Sequence, residues 1–118
     1  MLAGDNLMDI PRTTLADGSQ VYPEHRDKIV DGPRAGQQRD YVVLAEEERA
    51  KGFVRPVRRS YRHLTCGVVT TMSQPIAETY ARDPKFYSGT FCCGCGNHFP
   101  VGEQGQFVWD GTNEKVGT

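Results

Sequence analysis

Large apolar side chains are scarce in this 118-residue chain: hydrophobic residues make up 37% and there is a single tryptophan. With a mean hydropathy of −0.56, the core must be thin, and something besides apolar burial is needed to hold it. No apolar run approaches the roughly 18 residues of a membrane-spanning helix, so no membrane partner is expected. Charge of either sign is not in excess. Fourteen Lys and Arg face fifteen Asp and Glu, for a formal net charge of −1, which excludes a globally basic nucleic-acid binder but not a local basic patch. The opening residues Met1-Leu2-Ala3-Gly4-Asp5-Asn6 lack the basic-then-apolar order of a secretion leader. The expected location is therefore intracellular, a setting where thiols stay reduced. There is no phosphate-cradling glycine loop, nucleophile elbow or H-E-x-x-H. Neither an enzymatic activity nor a small-molecule substrate is expected.

What the chain does have is four cysteines confined to one stretch, with a histidine placed to join them. His63-Leu64-Thr65-Cys66-Gly67 and Cys92-Cys93-Gly94-Cys95-Gly96 each set two soft ligands three residues apart, with a glycine directly after the second. Together they read H-x2-C-x25-C-x2-C, the donor set of a closed tetrahedral zinc site. In such a knuckle, backbone amides point at the first ligand's sulfur, and glycine past the second ligand lets the chain turn with positive φ. Cys66, Cys92 and Cys95 are the firm ligands. The fourth is His63, which gives two ligands from each knuckle, or alternatively His98, three residues past Cys95. A pair of disulfides is disfavoured by the adjacency of Cys92 and Cys93. Cys93 and His25 read as side chains without a metal role. A catalytic zinc is also disfavoured: the deaminase pattern needs H-x-E and P-C-x-x-C, whereas Leu64-Thr65 follow His63 and Phe91 precedes Cys92. Four protein ligands leave no open position for a water, so the expected zinc is structural.

Around the knuckles the expected fold is α+β: a small zinc-ribbon-like domain over residues 41–118, with short antiparallel strands, one or two short helices and an irregular N-terminal arm over residues 1–40. The arm is rich in turn formers such as Asp17-Gly18-Ser19 and Asp31-Gly32-Pro33 and poor in apolar periodicity. Tyr41–Leu44 reads as a strand, and Ala45–Lys51 as a short helix whose acidic start and basic end suit the helix dipole, stopped by Gly52. Phe53–His63 reads as an extended edge strand because of Pro56. Gly67–Met72 is a β-branched strand. Ser73 and Pro75 open a helix at about 74–82 that ends before Pro84, with Ile76, Ala77 and Tyr80 on its packed face. Gln106–Trp109 is a strand followed by an Asp110-Gly111 turn.

The second candidate site is basic. Arg55, Arg58, Arg59 and Arg62 lie in an acid-free stretch with Phe53 and Tyr61 interleaved, the kind of patch that meets phosphates. Strand alternation would split it, with Arg55 and Arg59 on one face and Arg58 and Arg62 on the other.

Tyr61–Gly67, Ala77–Tyr87 and Phe107–Gly111 resemble stretches of small zinc-ribbon-like proteins of tailed phages and prophages, to which no activity is attached. The resemblance spans about residues 61–118 and implies a phage origin, and with it a location in the host cytoplasm or the virion. The expected function is thus a non-enzymatic, zinc-stabilised interaction protein. It would dock on a partner protein or phage assembly, as a virion component or an inhibitor of a host system. Nucleic-acid binding through Arg55–Arg62 is the alternative.

Overall fold

The computed structural model describes residues 11–118. Residues 1–10 of the expected arm lie outside the described residues. The chain is a mixed α+β protein whose strands, all short, pair antiparallel in three sheets. β1 (Thr13–Leu15) pairs with β2 (Val42–Leu44); β3 (Ser60–His63) lies between β4 (Val69–Thr71) and β7 (Phe107–Trp109); β5 (Gly89–Cys92) pairs with β6 (Asn97–Pro100). Two α-helices, α1 (Glu46–Arg49) and α2 (Gln74–Arg82), and a 3-10 turn at Pro23–Arg26 complete the regular structure among the described residues.

The core forms where α2 meets the β3 sheet. Tyr61, Met72, Ala77, Tyr80, Phe107, Trp109 and Val116 are all buried there, with Cys92 among them. Its aromatic members meet edge to face, Tyr61 against Phe107 at 5.4 Å and Tyr80 against Trp109 at 5.6 Å, the arrangement that ring quadrupoles favour. α2 runs where the sequence places it, and Ala77 and Tyr80 of its expected face are buried. Its start differs in one detail. Ser73 holds the extended backbone of an N-cap, yet its hydroxyl makes no cap bond.

Thr79 ties α2 to the N-terminal part of the fold. Its hydroxyl donates to the Pro75 carbonyl at 2.8 Å and accepts the Leu44 amide at 3.1 Å. Arg49 of α1 adds a 2.6 Å ion pair to Glu78. β2 is thereby fixed on α2, and β1 adds to it in register, Thr13 opposite Leu44 and Leu15 opposite Val42. The 1–40 segment thus contributes a strand and a 3-10 turn at Pro23–Arg26. Neither is marked by apolar periodicity, because β1 is ordered by its partner strand.

The Phe53–His63 strand is corrected. Only Ser60–His63 joins a ladder, and it is the central strand of its sheet rather than an edge. Pro56 has no N–H to give. Upstream of it, the amides of Val54 and Arg55 both turn to the Ala81 carbonyl at the end of α2, at 2.8 and 3.1 Å. The β5–β6 hairpin is an element that the sequence did not announce.

Residues 27–39 form a narrow loop closed by a Lys28–Gln38 bridge, and its Gly36 is pressed onto the second knuckle. Gly36 has φ +92°, and a Cβ there would lie 2.2 Å from the Gly96 carbonyl oxygen. Gly18 has a similar φ of +91° but open space around it. Gly36→Ala should therefore cost on the order of 3 kcal/mol, strain plus clash, against about 1 kcal/mol for Gly18→Ala, strain alone. Urea denaturation of the two variants checks this; equal costs would mean that the loop does not sit on the knuckle.

Candidate metal centre

The two knuckles have the same backbone turn. Gly67 N–H donates to the His63 carbonyl at 2.7 Å, and Gly96 N–H donates to the Cys92 carbonyl at 2.8 Å. Both glycines have positive φ, +77° and +69°, as the spacing requires. In the second knuckle the Cys95 amide also points at the Cys92 sulfur, at 3.4 Å. The first knuckle closes the end of β3 and the second closes β5, so each turn is set by the strand that enters it.

These turns converge. One ligand atom from each of His63, Cys66, Cys92 and Cys95 lies within 4.8 Å of the others. Cys66 Sγ is 3.5 Å from Cys92 Sγ, and Cys95 Sγ is 3.6 Å from His63 Nδ1. His63 and Cys92 are buried, while Cys66 and Cys95 lie at the exposed side of the cluster. Val68, just past the first knuckle, packs on Gly94 of the second. A Cβ at Gly94 would come within 2.7 Å of a Val68 methyl, so only glycine permits this approach.

His63 is the most constrained of the four. It is 1% exposed, and its ring packs against two phenylalanine rings that also meet each other, Phe99 at 4.5 Å and Phe107 at 4.7 Å. Its Nε2 is 2.7 Å from Gln106 Oε1. Since the Gln106 oxygen accepts, Nε2 carries the proton and Nδ1 turns its lone pair toward the cysteines, as in metal-bound imidazoles whose far N–H is held by a protein acceptor. Gln106 was not singled out from the sequence. Its place beside His63 follows from the pairing of His63 with Phe107 across β3 and β7, and no local spacing encodes that.

Charge sets the chemistry of the cluster. The Cys66 thiol is pulled down to about 7, mainly by the Val68 backbone N–H aimed at it. The Cys95 thiol is pushed up to about 11 by burial and then by the neighbouring Cys66 and Cys92 sulfurs. One thiolate forms readily and then opposes the next, so three thiolates at this spacing call for a cation among them. The donor set, three soft sulfurs and one imidazole with no carboxylate, fits a metal ion of the softer kind.

His98 stands outside the cluster. It shares a 2.8 Å hydrogen bond between its Nε2 and the Tyr41 hydroxyl, and its ring meets Phe91 at 5.3 Å. Burial and the nearby Lys28 lower its pKa. It serves as an anchor between the N-terminal segment and the second hairpin. Cys93 also points away, its amide donating to Thr70 Oγ1 at 3.0 Å. His25 lies in the 3-10 turn, where its Nδ1 is 2.7 Å from the Tyr22 carbonyl.

The four arginines are occupied within the chain. Arg58 pairs with Glu114 at 3.0 Å and covers the Trp109 ring at 4.9 Å. Arg62 lies 3.8 Å from Asp110. Arg59 Nε donates to the Met72 carbonyl at 2.9 Å, and Arg55 Nε to the Thr118 carbonyl at 3.1 Å. Among the described residues no helix is long and apolar enough to cross a membrane. Comparison with protein-family models, curated proteins and solved structures finds no match.

Gln106 provides the test of the site's second layer. Gln106→Ala should weaken metal affinity about 10- to 100-fold while leaving the fold of the metal-loaded protein intact. Competition with a chromogenic chelator reads this directly, and an unchanged affinity would remove Gln106 from the site.

Proposed function

We propose that His63, Cys66, Cys92 and Cys95 hold a structural zinc ion in a zinc-ribbon-like centre, and that the protein is a non-enzymatic interaction module built on it. The observation that carries this reading is the closed shell. The four ligand atoms lie within 4.8 Å of one another, with Cys66 Sγ 3.5 Å from Cys92 Sγ and Cys95 Sγ 3.6 Å from His63 Nδ1, against a sulfur–sulfur edge of roughly 3.8 Å for a tetrahedron with zinc–sulfur bonds of about 2.3 Å. Such a shell has no position for a substrate or an attacking water, so the ion's contribution is to folding.

Function then falls to the surface that the ion fixes. Leu64, Val68 and Val69 are 50, 38 and 41% exposed, and they lie on and beside the first knuckle. Apolar side chains held outward by a rigid turn suit a protein partner. With the resemblance of residues 61–118 to small phage proteins, this favours docking on a phage assembly or a host protein, as a virion component or an inhibitor. The internal commitments of Arg55, Arg58, Arg59 and Arg62 place nucleic-acid binding second.

Elemental analysis of the purified protein should find one zinc per chain. Cys66→Ser and Cys95→Ser should lose both zinc and folded structure, because structural zinc supplies about 10–16 kcal/mol of folding free energy, comparable to or above a whole domain's stability of about 5–15 kcal/mol. His98→Ala should keep both. Zinc lost from His98→Ala, or retained in Cys95→Ser, would overturn the ligand set. Leu64→Glu combined with Val69→Glu should keep zinc and melting temperature but lose partners captured by the unmodified protein. Undiminished capture would move the docking surface elsewhere.

A further inference from the structure

A cavity of about 250 Å³ lies between residues 34–41 and the main core, and none of the four metal ligands lines it. Its inner wall includes Tyr61, Met72, Ile76, Tyr80 and Thr90, and Arg34, Arg39 and Asp40 stand on its outer side.

Two buried hydroxyls of this wall have no hydrogen-bond partner, Tyr80 Oη and Ser73 Oγ. Tyr80 is 3% exposed. The polar groups around its oxygen are Thr90, Tyr61 and Tyr87, which line the same cavity and are bonded elsewhere. Thr90 donates to Tyr61 Oη at 3.1 Å, Tyr61 donates to the Phe91 carbonyl, and Tyr87 donates to the Val42 carbonyl at 2.7 Å. The Tyr80 hydroxyl lies beside Thr90 without a hydrogen bond of ordinary length, while each of its neighbours is satisfied. Ser73 is the more telling of the two. It occupies the N-cap of α2, where a serine hydroxyl ordinarily bonds the helix amides, yet it caps nothing and is buried without a partner. Leaving a buried hydroxyl unpaired incurs its full desolvation penalty, and both penalties fall on one cavity.

Size and charge narrow what would relieve them. An apolar cavity of about 150 Å³ takes up benzene, so this one has room for a single substituted ring, set against aromatic walls. At the outer side, Arg34 and Arg39 are exposed and form no ion pair among the described residues. The Asp40 carboxylate already accepts the Tyr22 hydroxyl. The rim therefore carries an excess of positive charge.

We propose that this cavity binds a small single-ring aromatic carboxylate, with a polar ring substituent at the Tyr80 and Ser73 hydroxyls and its carboxylate toward Arg34 and Arg39. This adds a ligand site to the interaction role proposed above and does not depend on it.

The probe is 4-hydroxybenzoate, titrated into zinc-loaded, isotope-labelled protein at low salt and followed by amide chemical shifts. Saturable shifts are expected at Ser73, Ile76 and Thr90. Benzoate, which lacks the inner hydroxyl, should bind at least tenfold more weakly. Tyr80→Phe should bind the probe at least tenfold more weakly yet melt no lower than the unmodified protein, because the lost hydroxyl had no partner. Ile76→Trp, which fills the cavity, should abolish binding. The proposal is overturned by an absence of saturable shifts at millimolar probe, or by shifts confined to other residues. Undiminished affinity in Tyr80→Phe would overturn it too. So would a lowered melting temperature in Tyr80→Phe, since that would show the hydroxyl already bonded in the free protein, as by a trapped water. Zinc content measured in each variant separates these outcomes from a failure of the metal centre.

Discussion

Two turns whose cysteines, Cys66 and Cys92, lie 26 positions apart bring three sulfurs and an imidazole together, and the strands on either side of them are arranged around that meeting. Three sulfurs and an imidazole this close could hold a metal ion, whose charge would offset the repulsion between thiolates. The consequences run outward from there. The first knuckle joins β3 to β4, and β7 pairs with the other side of β3. The second knuckle joins β5 to β6 and brings Phe99 onto the face of His63. Gln106 and Phe107 enter from β7 to complete the histidine's surroundings. A core as thin as this composition allows is thus organised by one polar point rather than by apolar volume.

The N-terminal segment is joined to this framework at two places with different physics. Gly36 meets the second knuckle by backbone contact too close for any side chain. Tyr41 and His98 meet nearby through a hydrogen bond. Farther along, Thr79 and Arg49 bind β2 and α1 to the helix. Between these two attachments the segment spans the core without filling it, and the cavity with its two unpaired hydroxyls lies in that span. Attachment at both ends of a short segment leaves it unable to collapse onto the wall beneath, which explains why a gap persists in so small a protein.

Much of the local structure was legible because local rules govern it. The knuckle spacing and its glycines specify a turn whatever the rest of the chain does, and both turns form with positive φ at Gly67 and Gly96. α2 lies where Ser73, Pro75 and Pro84 bracket it, and Asp110-Gly111 turns with Gly111 at φ +78°. The basic stretch was legible only as composition. Glu114, Asp110 and the Trp109 ring, which engage two of its arginines, are about fifty residues away along the chain.

The sequence by itself determined two ligand-bearing turns, a helix with its limits and a chain too polar to rely on its core. Tertiary structure alone decided which histidine faces the cysteines. His63 and His98 are equally well spaced in the chain, and strand pairing sends one against two phenylalanine rings beside the cysteines and the other to Tyr41. It also decided that Arg55–Arg62 is occupied internally, that β1 exists, and that Ser73 faces a cavity instead of capping its helix. These outcomes have one physical reason in common. Turn and capping preferences act within about four residues along the chain, whereas a hydrogen-bond partner or a cavity wall is supplied by whichever distant segment the fold brings alongside.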